Sequence, residues 1–247
     1  MTTDNTKYIV FVGVPEAPAG QEQEWNRWYD EVHIPQRLKI PGFLGAHRFQ
    51  SVFGQYKYLT YYEISSPDVL ASEEYQQLRS AEAQLEPDSF ETKTVETPGI
   101  VRGVYQSIAP TQRPPEQCLD DLSTVSTLFA MGQDVPPGKE EEFHAWYETE
   151  HLPAMLDQVP GFLRAQRLVL VDPEQFPAAA GATSARFSTL YALSDLDVLD
   201  SAEFEQWRYS PWSAWIRSWY FRKMRVLAQR VGDVPSGGVN PGSSSLR

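Results

Sequence analysis

The chain has 247 residues, 41% hydrophobic and 22% charged, with 21 Lys and Arg against 33 Asp and Glu for a formal charge of −12. This suits one large globular domain or two of ordinary size, and so acidic a surface argues against nucleic acid or an anionic membrane surface as partner. No apolar run has the length of a bilayer span, the opening MTTDNTKYIVFVGV lacks the basic start of a signal peptide, and the single cysteine, Cys118, permits no internal disulfide, so a cytoplasmic protein is expected.

In chain order, Tyr8 to Val14 reads as a β-rich opening strand. A helix follows in which Trp25, Trp28, Tyr29 and Val32 fall at i, i+3, i+4 and i+7, an apolar stripe. Pro41-Gly42 marks the turn into a second strand carrying Arg48 on the same face as Leu44, and Tyr58, Thr60 and Tyr62 alternate in a third. A second helix is expected near Ser72 to Leu85, a polar loop over Asp88 to Pro98, and a closing strand over Ile100 to Ile108.

The same order then returns. Thr124 to Met131 opens it, and Glu142-Phe-His-Ala-Trp-Tyr-Glu-Thr-Glu-His-Leu-Pro153 follows Glu24-Trp-Asn-Arg-Trp-Tyr-Asp-Glu-Val-His-Ile-Pro35 at a shift of 118 (33 to 151). Pro160 to Arg167 repeats Pro41 to Arg48 with six of eight positions identical. Phe187, Thr189 and Tyr191 repeat the third strand, a helix is expected from Ser201 to about Trp219, and Phe221 to Val231 closes the copy. Collinear blocks of this kind identify a tandem duplication. The expected division is 1–109 for the first copy, 110–121 for a proline-rich linker holding Cys118, 122–233 for the second copy and 234–247 for a disordered tail.

Each copy is therefore a β-α-β-β-α-β unit of α+β class, with helices on one sheet face and the other face in need of cover. Two such units packed sheet to sheet resemble the dimeric α/β-barrel superfamily of ferredoxin-like proteins. The segment W-Y-x-x-x-H-[IL]-P…P-G-F-x-x-A-x-R is most similar to its EthD-like branch. That resemblance implies a barrel fold over about Tyr8 to Val231, and leaves the reaction open among cofactor-free monooxygenases, cyclases, isomerases, decarboxylases and haem enzymes.

His33 and His151 occupy the same place in each copy, with Tyr29 and Tyr147 one turn earlier and Asp30 and Glu148 three residues earlier. A carboxylate fixing one ring nitrogen would leave the other as a base, and a nearby phenol would steady an oxyanion. The bland alternative is a histidine that merely ends a helix before a proline. Arg48 and Arg167 read as salt-bridge partners or as binders of an anionic ligand. The aromatic excess of the second copy, Trp146 with Trp212, Trp215 and Trp219 at i, i+3, i+7, together with Tyr191, reads either as core or as the wall of a pocket for a flat ligand.

The expected function is a cofactor-independent enzyme using histidine acid/base chemistry on a small aromatic or polyketide-like substrate, of lyase, isomerase or cyclase type, with the second copy as the working half. The alternatives are a cofactor-free monooxygenase, a haem protein with His47 or His144 as ligand, and a non-catalytic small-molecule-binding protein. No metal or other cofactor is expected, and the chain should be a monomer or homodimer.

Overall fold

The computed structural model describes residues 7–86, 90, 92, 97–108 and 113–232. The expected tail and most of the expected 88–98 loop lie outside these residues. Eight strands appear in chain order: β1 (Tyr8–Val14), β2 (Phe43–Phe53), β3 (Tyr58–Ile64), β4 (Val101–Ile108), β5 (Thr127–Asp134), β6 (Phe162–Leu170), β7 (Phe187–Leu193) and β8 (Arg222–Arg230). They close into one antiparallel barrel in the order β1-β3-β2-β8-β5-β7-β6-β4. The expected units are present, and their sheets are joined edge to edge by β2–β8 and β4–β6 pairing. Joining the edges leaves neither sheet an open flank.

Alternation along the strands divides the molecule into layers. Inward residues from both copies, among them Phe11, Phe49, Leu59, Tyr105, Leu128, Leu168, Leu190 and Val226, fill the barrel. Leu119, Leu122 and Val125 are buried among them. The chain joining the copies thus closes off part of the barrel interior rather than hanging free, and Leu119 donates its backbone N–H to Ala165.

Outside the barrel each copy lays its helices over its own sheet. In the first these are α1 (Glu22–Trp28), α2 (Ile34–Leu38) and α3 (Glu73–Glu82). In the second they are α4 (Glu140–Trp146), α5 (Leu152–Gln158), α6 (Ala202–Trp207) and α7 (Pro211–Arg217). The single helix expected from Ser201 to Trp219 is two, because Pro211 cannot continue a helix and instead begins a new one capped by Ser210.

The duplication is visible atom by atom. Gly42 and Gly161 take φ of 96° and 95°, and a Cβ on either would come within 2.4 Å of Val69 or Val198. Each accepts a 2.9 Å backbone hydrogen bond, from Ser65 and Ser194 respectively. Both second strands bulge directly afterwards, at Phe43/Gly45 and Phe162/Arg164. The bulge corrects one expectation: Leu44 and Leu163 are turned out to solvent, whereas Arg48 and Arg167 are buried.

Candidate active site

Between the first helices of each copy lies one turn of π-helix, Tyr29–His33 and Tyr147–His151. Pro35 and Pro153 explain it: a proline has no N–H for the i−4 carbonyl and its ring crowds that carbonyl. The widened turn lets Ile34 and Leu152 bond instead to the carbonyls of Tyr29 and Tyr147, five residues back. Such bulges reorient the side chains they carry. Here they turn a histidine inward beside a tyrosine and a tryptophan.

His151 stacks on Trp146 with centroids 4.5 Å apart and planes at 15°, and meets Tyr147 edge-on at 5.2 Å. His33 packs likewise on Trp28 at 4.5 Å and Tyr29 at 4.7 Å. In both histidines Nδ1 is buried without a hydrogen-bond partner. The expected carboxylate support is therefore absent. Asp30 pairs with Arg48 at 2.5 Å and Glu148 with Arg167 at 2.8 Å, because both acids point toward the second strand of their own copy. Arg48 also bonds Asn26, while Arg167 reaches His144 Nδ1 at 2.6 Å. The guanidinium groups lie 4.6 Å above Tyr29 and 4.4 Å above Tyr147. These arginines are salt-bridged supports against the tyrosines, and neither lines the cavities in front of His33 and His151.

With no carboxylate bonded to its buried Nδ1, His151 stays neutral. Burial first, then the charges of Arg217 and Arg167, push its pKa down to about 3. Burial and a set of arginines led by Arg37 hold His33 well below the usual histidine range.

The two copies differ in the space before the imidazole. In the second, a cavity of about 180 Å3 is walled by His151, Trp146, Tyr147, Tyr191, Gln133 and Met155, with Arg208, Arg217, Lys223 and Arg225 also on its lining. Gln133 donates to the Tyr147 hydroxyl at 3.0 Å, leaving that phenol's own proton for another acceptor. The Tyr191 hydroxyl is buried without a partner. In the first copy the matching space is about 60 Å3. Arg37 stands where the second copy has Met155 and is clamped by Glu82, and Val14 stands where the second has Gln133. On the solvent side of His151 an open groove, with Glu150, Asp157, Gln158 and Gln206 on its walls, shares His151 and Tyr209 with the inner cavity.

Of the expected pocket residues, Trp146, Tyr147, His151 and Tyr191 come together. Trp212 packs into the second helical core, and Trp215 and Trp219 meet edge-on beside Lys139 with Trp215 bonded to Glu142. None of these three faces the cavity, since the break before α7 turns their stripe away from His151. Sequence reasoning missed Gln133, Met155, Arg208, Arg217, Lys223 and Arg225. The alternation of Lys223 and Arg225 on β8 was a usable signal, because it puts two cations side by side on one face of a strand.

Neither candidate haem ligand lines the two inner cavities or the outer groove. His144 accepts from Arg167, and burial with that charge brings its pKa to about 4, while His47 lies in β2 against Glu63. Drug-sized ligands occupy pockets of roughly 300–1,000 Å3, so neither inner cavity accommodates a porphyrin, and the outer groove offers acids and amides. The residues present do not fit haem. Among the described residues no three His, Cys, Asp or Glu converge as a metal site, and no helix is long and apolar enough to cross a membrane.

No family model matches the sequence, and no curated protein does. Solved structures match over nearly the whole chain. An anthrone oxidase-like protein is 16% identical over 99% of this chain and 98% of its own, with a TM-score of 0.55. A protein provisionally assigned as a monooxygenase from Fusobacterium nucleatum is 11% identical, covers 95% of this chain and 96% of its own, and has a TM-score of 0.50. A chlorite dismutase variant from Candidatus Nitrospira defluvii is 12% identical, covers 92% and 91%, and has a TM-score of 0.53. At such identities the likeness is one of fold: the chain is a dimeric α/β barrel contained in a single polypeptide.

Proposed function

We propose that the protein is an enzyme, of EthD-like type, in which His151 is the general base for a small aromatic substrate bound in the second-copy cavity. The observation that carries this is a neutral imidazole, with no carboxylate on its buried Nδ1, stacked on Trp146 and edge-on to Tyr147 at the wall of an open cavity that Tyr191 also lines. A cavity of about 180 Å3 matches one ring better than a fused polyketide, since ~150 Å3 already admits benzene.

The step moves a proton from carbon beside a carbonyl to the imidazole, and the electron pair stays on the substrate as an enolate. The enolate oxygen accepts from Tyr147 or Tyr191, and the nearby cations offset the new negative charge. The imidazolium then returns its proton to another carbon or to a leaving group, giving an isomerase, cyclase or lyase. Side chains alone supply this chemistry. A second reading, in which the same carbanion is oxidised by O2, draws on the solved relatives of this fold named for oxidase and monooxygenase activity.

Incubation with monocyclic aryl ketones in D2O tests both readings. Catalysed deuterium uptake at the acidic carbon without oxygen consumption is the expected result. Oxygen uptake coupled to substrate loss would favour the second reading, and the absence of both across the panel would leave a binding protein.

A further inference from the structure

The charge around this cavity runs against the charge of the chain. Arg208, Arg217, Lys223 and Arg225 all line it, in a protein of net charge −12. Lys223 and Arg225 alternate on β8, opposite Gln133 and Met131 of β5, so both emerge on the face beneath the helices. Arg217 ends α7, and Arg208 follows α6. Glu205 pairs with Arg208, but among the described residues no ion pair is formed by Arg217, Lys223 or Arg225.

The first copy shows the arrangement partly neutralised, although Arg102, the counterpart of Arg225 by strand register, also lines its space and forms no ion pair among the described residues. Arg79, which lies 129 positions before Arg208, and Arg37 both pair with Glu82, so an internal carboxylate sits among the cations. The same shift from Glu82 leads to Pro211, which cannot supply one. Like charges gathered on a partly dry wall repel each other, and burial with that repulsion lowers the pKa of both Lys223 and Arg225. Such a cluster is relieved when an anion enters.

We propose that the ligand of the second-copy cavity is a monocyclic aromatic carboxylate whose acid group is held by Arg217, Lys223 and Arg225 while its ring lies toward Trp146, His151 and Tyr191. This rests on the reading of that cavity as the substrate site and narrows the substrate class to aromatic acids. The carboxylate supplies the negative charge that Glu82 supplies in the first copy. It would also offset part of the positive field on His151, making the imidazole a stronger base once the ligand is bound.

Calorimetric titration with benzoate and with the isosteric neutral benzamide tests this. Benzoate should bind at least about tenfold more tightly, the order expected of a charge-assisted contact, and its affinity should fall as salt is added. Lys223→Gln with Arg225→Gln should abolish the preference. Equal affinity for the two probes, no saturable benzoate binding, or a preference that survives the double substitution would each overturn the proposal. His151→Ala separates the two ideas. If it keeps the benzoate preference and loses deuterium exchange, both stand. If it keeps both, the anion site stands and the base does not.

Discussion

His151→Ala should lower the rate of deuterium exchange by about 10²–10⁴, the usual worth of a positioned base, while the protein stays folded. The truncation breaks no mapped hydrogen bond, since Nδ1 is unpartnered, and costs chiefly the stacking on Trp146. That stacking is worth about 1 kcal/mol beyond the area buried, and a melting curve that shows the variant folded assigns the loss of turnover to the missing base. His33→Ala should leave the rate near wild type, because Arg37, held by Glu82, narrows the space in front of that imidazole. The pH profile adds a sign. A group with its pKa lowered to about 3 stays a free base throughout the mildly acidic range. The wild-type kcat/KM should therefore hold level from pH 8 to pH 5, where an ordinary histidine base would already have cost about thirtyfold. A fall centred near pH 6.5 would mean that another group, or a differently placed histidine, does the work.

Arg167→Met should destabilise the fold by about 3 kcal/mol, toward the lower end of the range for breaking a buried ion pair. Arg167 is buried and holds Glu148, whose side chain is 18% exposed, so the stranded acid regains some water. The guanidinium also bonds His144 and lies 4.4 Å from the Tyr147 ring centroid, so methionine forfeits a hydrogen bond and a cation–π contact. Arg48→Met should cost less, because its partner Asp30 is 35% exposed. Denaturant midpoints of the two variants check the order. A loss below about 1 kcal/mol for Arg167→Met would show the pair to be no stronger than a surface bridge.

Much of this architecture can be read from the sequence because a duplication repeats its own evidence. The Trp-Tyr…His-[Ile/Leu]-Pro and Pro-Gly-Phe blocks locate the first helix and the second strand in both copies, and Gly42 and Gly161 require the same turn. Strand alternation likewise foretells an inner and an outer face. What could not be read is the direction of side chains across a local irregularity. The π turn at Tyr147–His151 and the bulge at Phe162/Arg164 each displace the simple helical or pleated register. Spacing alone therefore put Glu148 on the histidine, when it faces Arg167. The break before Pro211 likewise carries Trp215 and Trp219 away from the cavity. The preference for the second copy rested on those tryptophans, and the structure supplies a different ground for it: Met155 and Gln133 against Arg37 and Val14. Substitutions of single residues between two otherwise similar copies carry no periodic signal, so they become meaningful only when the facing residues are known.

Filling the open space beside Met155 tests the placement of the chemistry most directly. Met155→Trp places an indole at the cavity wall beneath His151, at an overpacking cost of about 1–3 kcal/mol that a melting curve will register. In a variant shown by its melting transition to be folded, the rate of deuterium exchange should fall to that of His151→Ala, with His151 itself untouched. Wild-type exchange by folded Met155→Trp would contradict the account and move the chemistry out of the second-copy cavity.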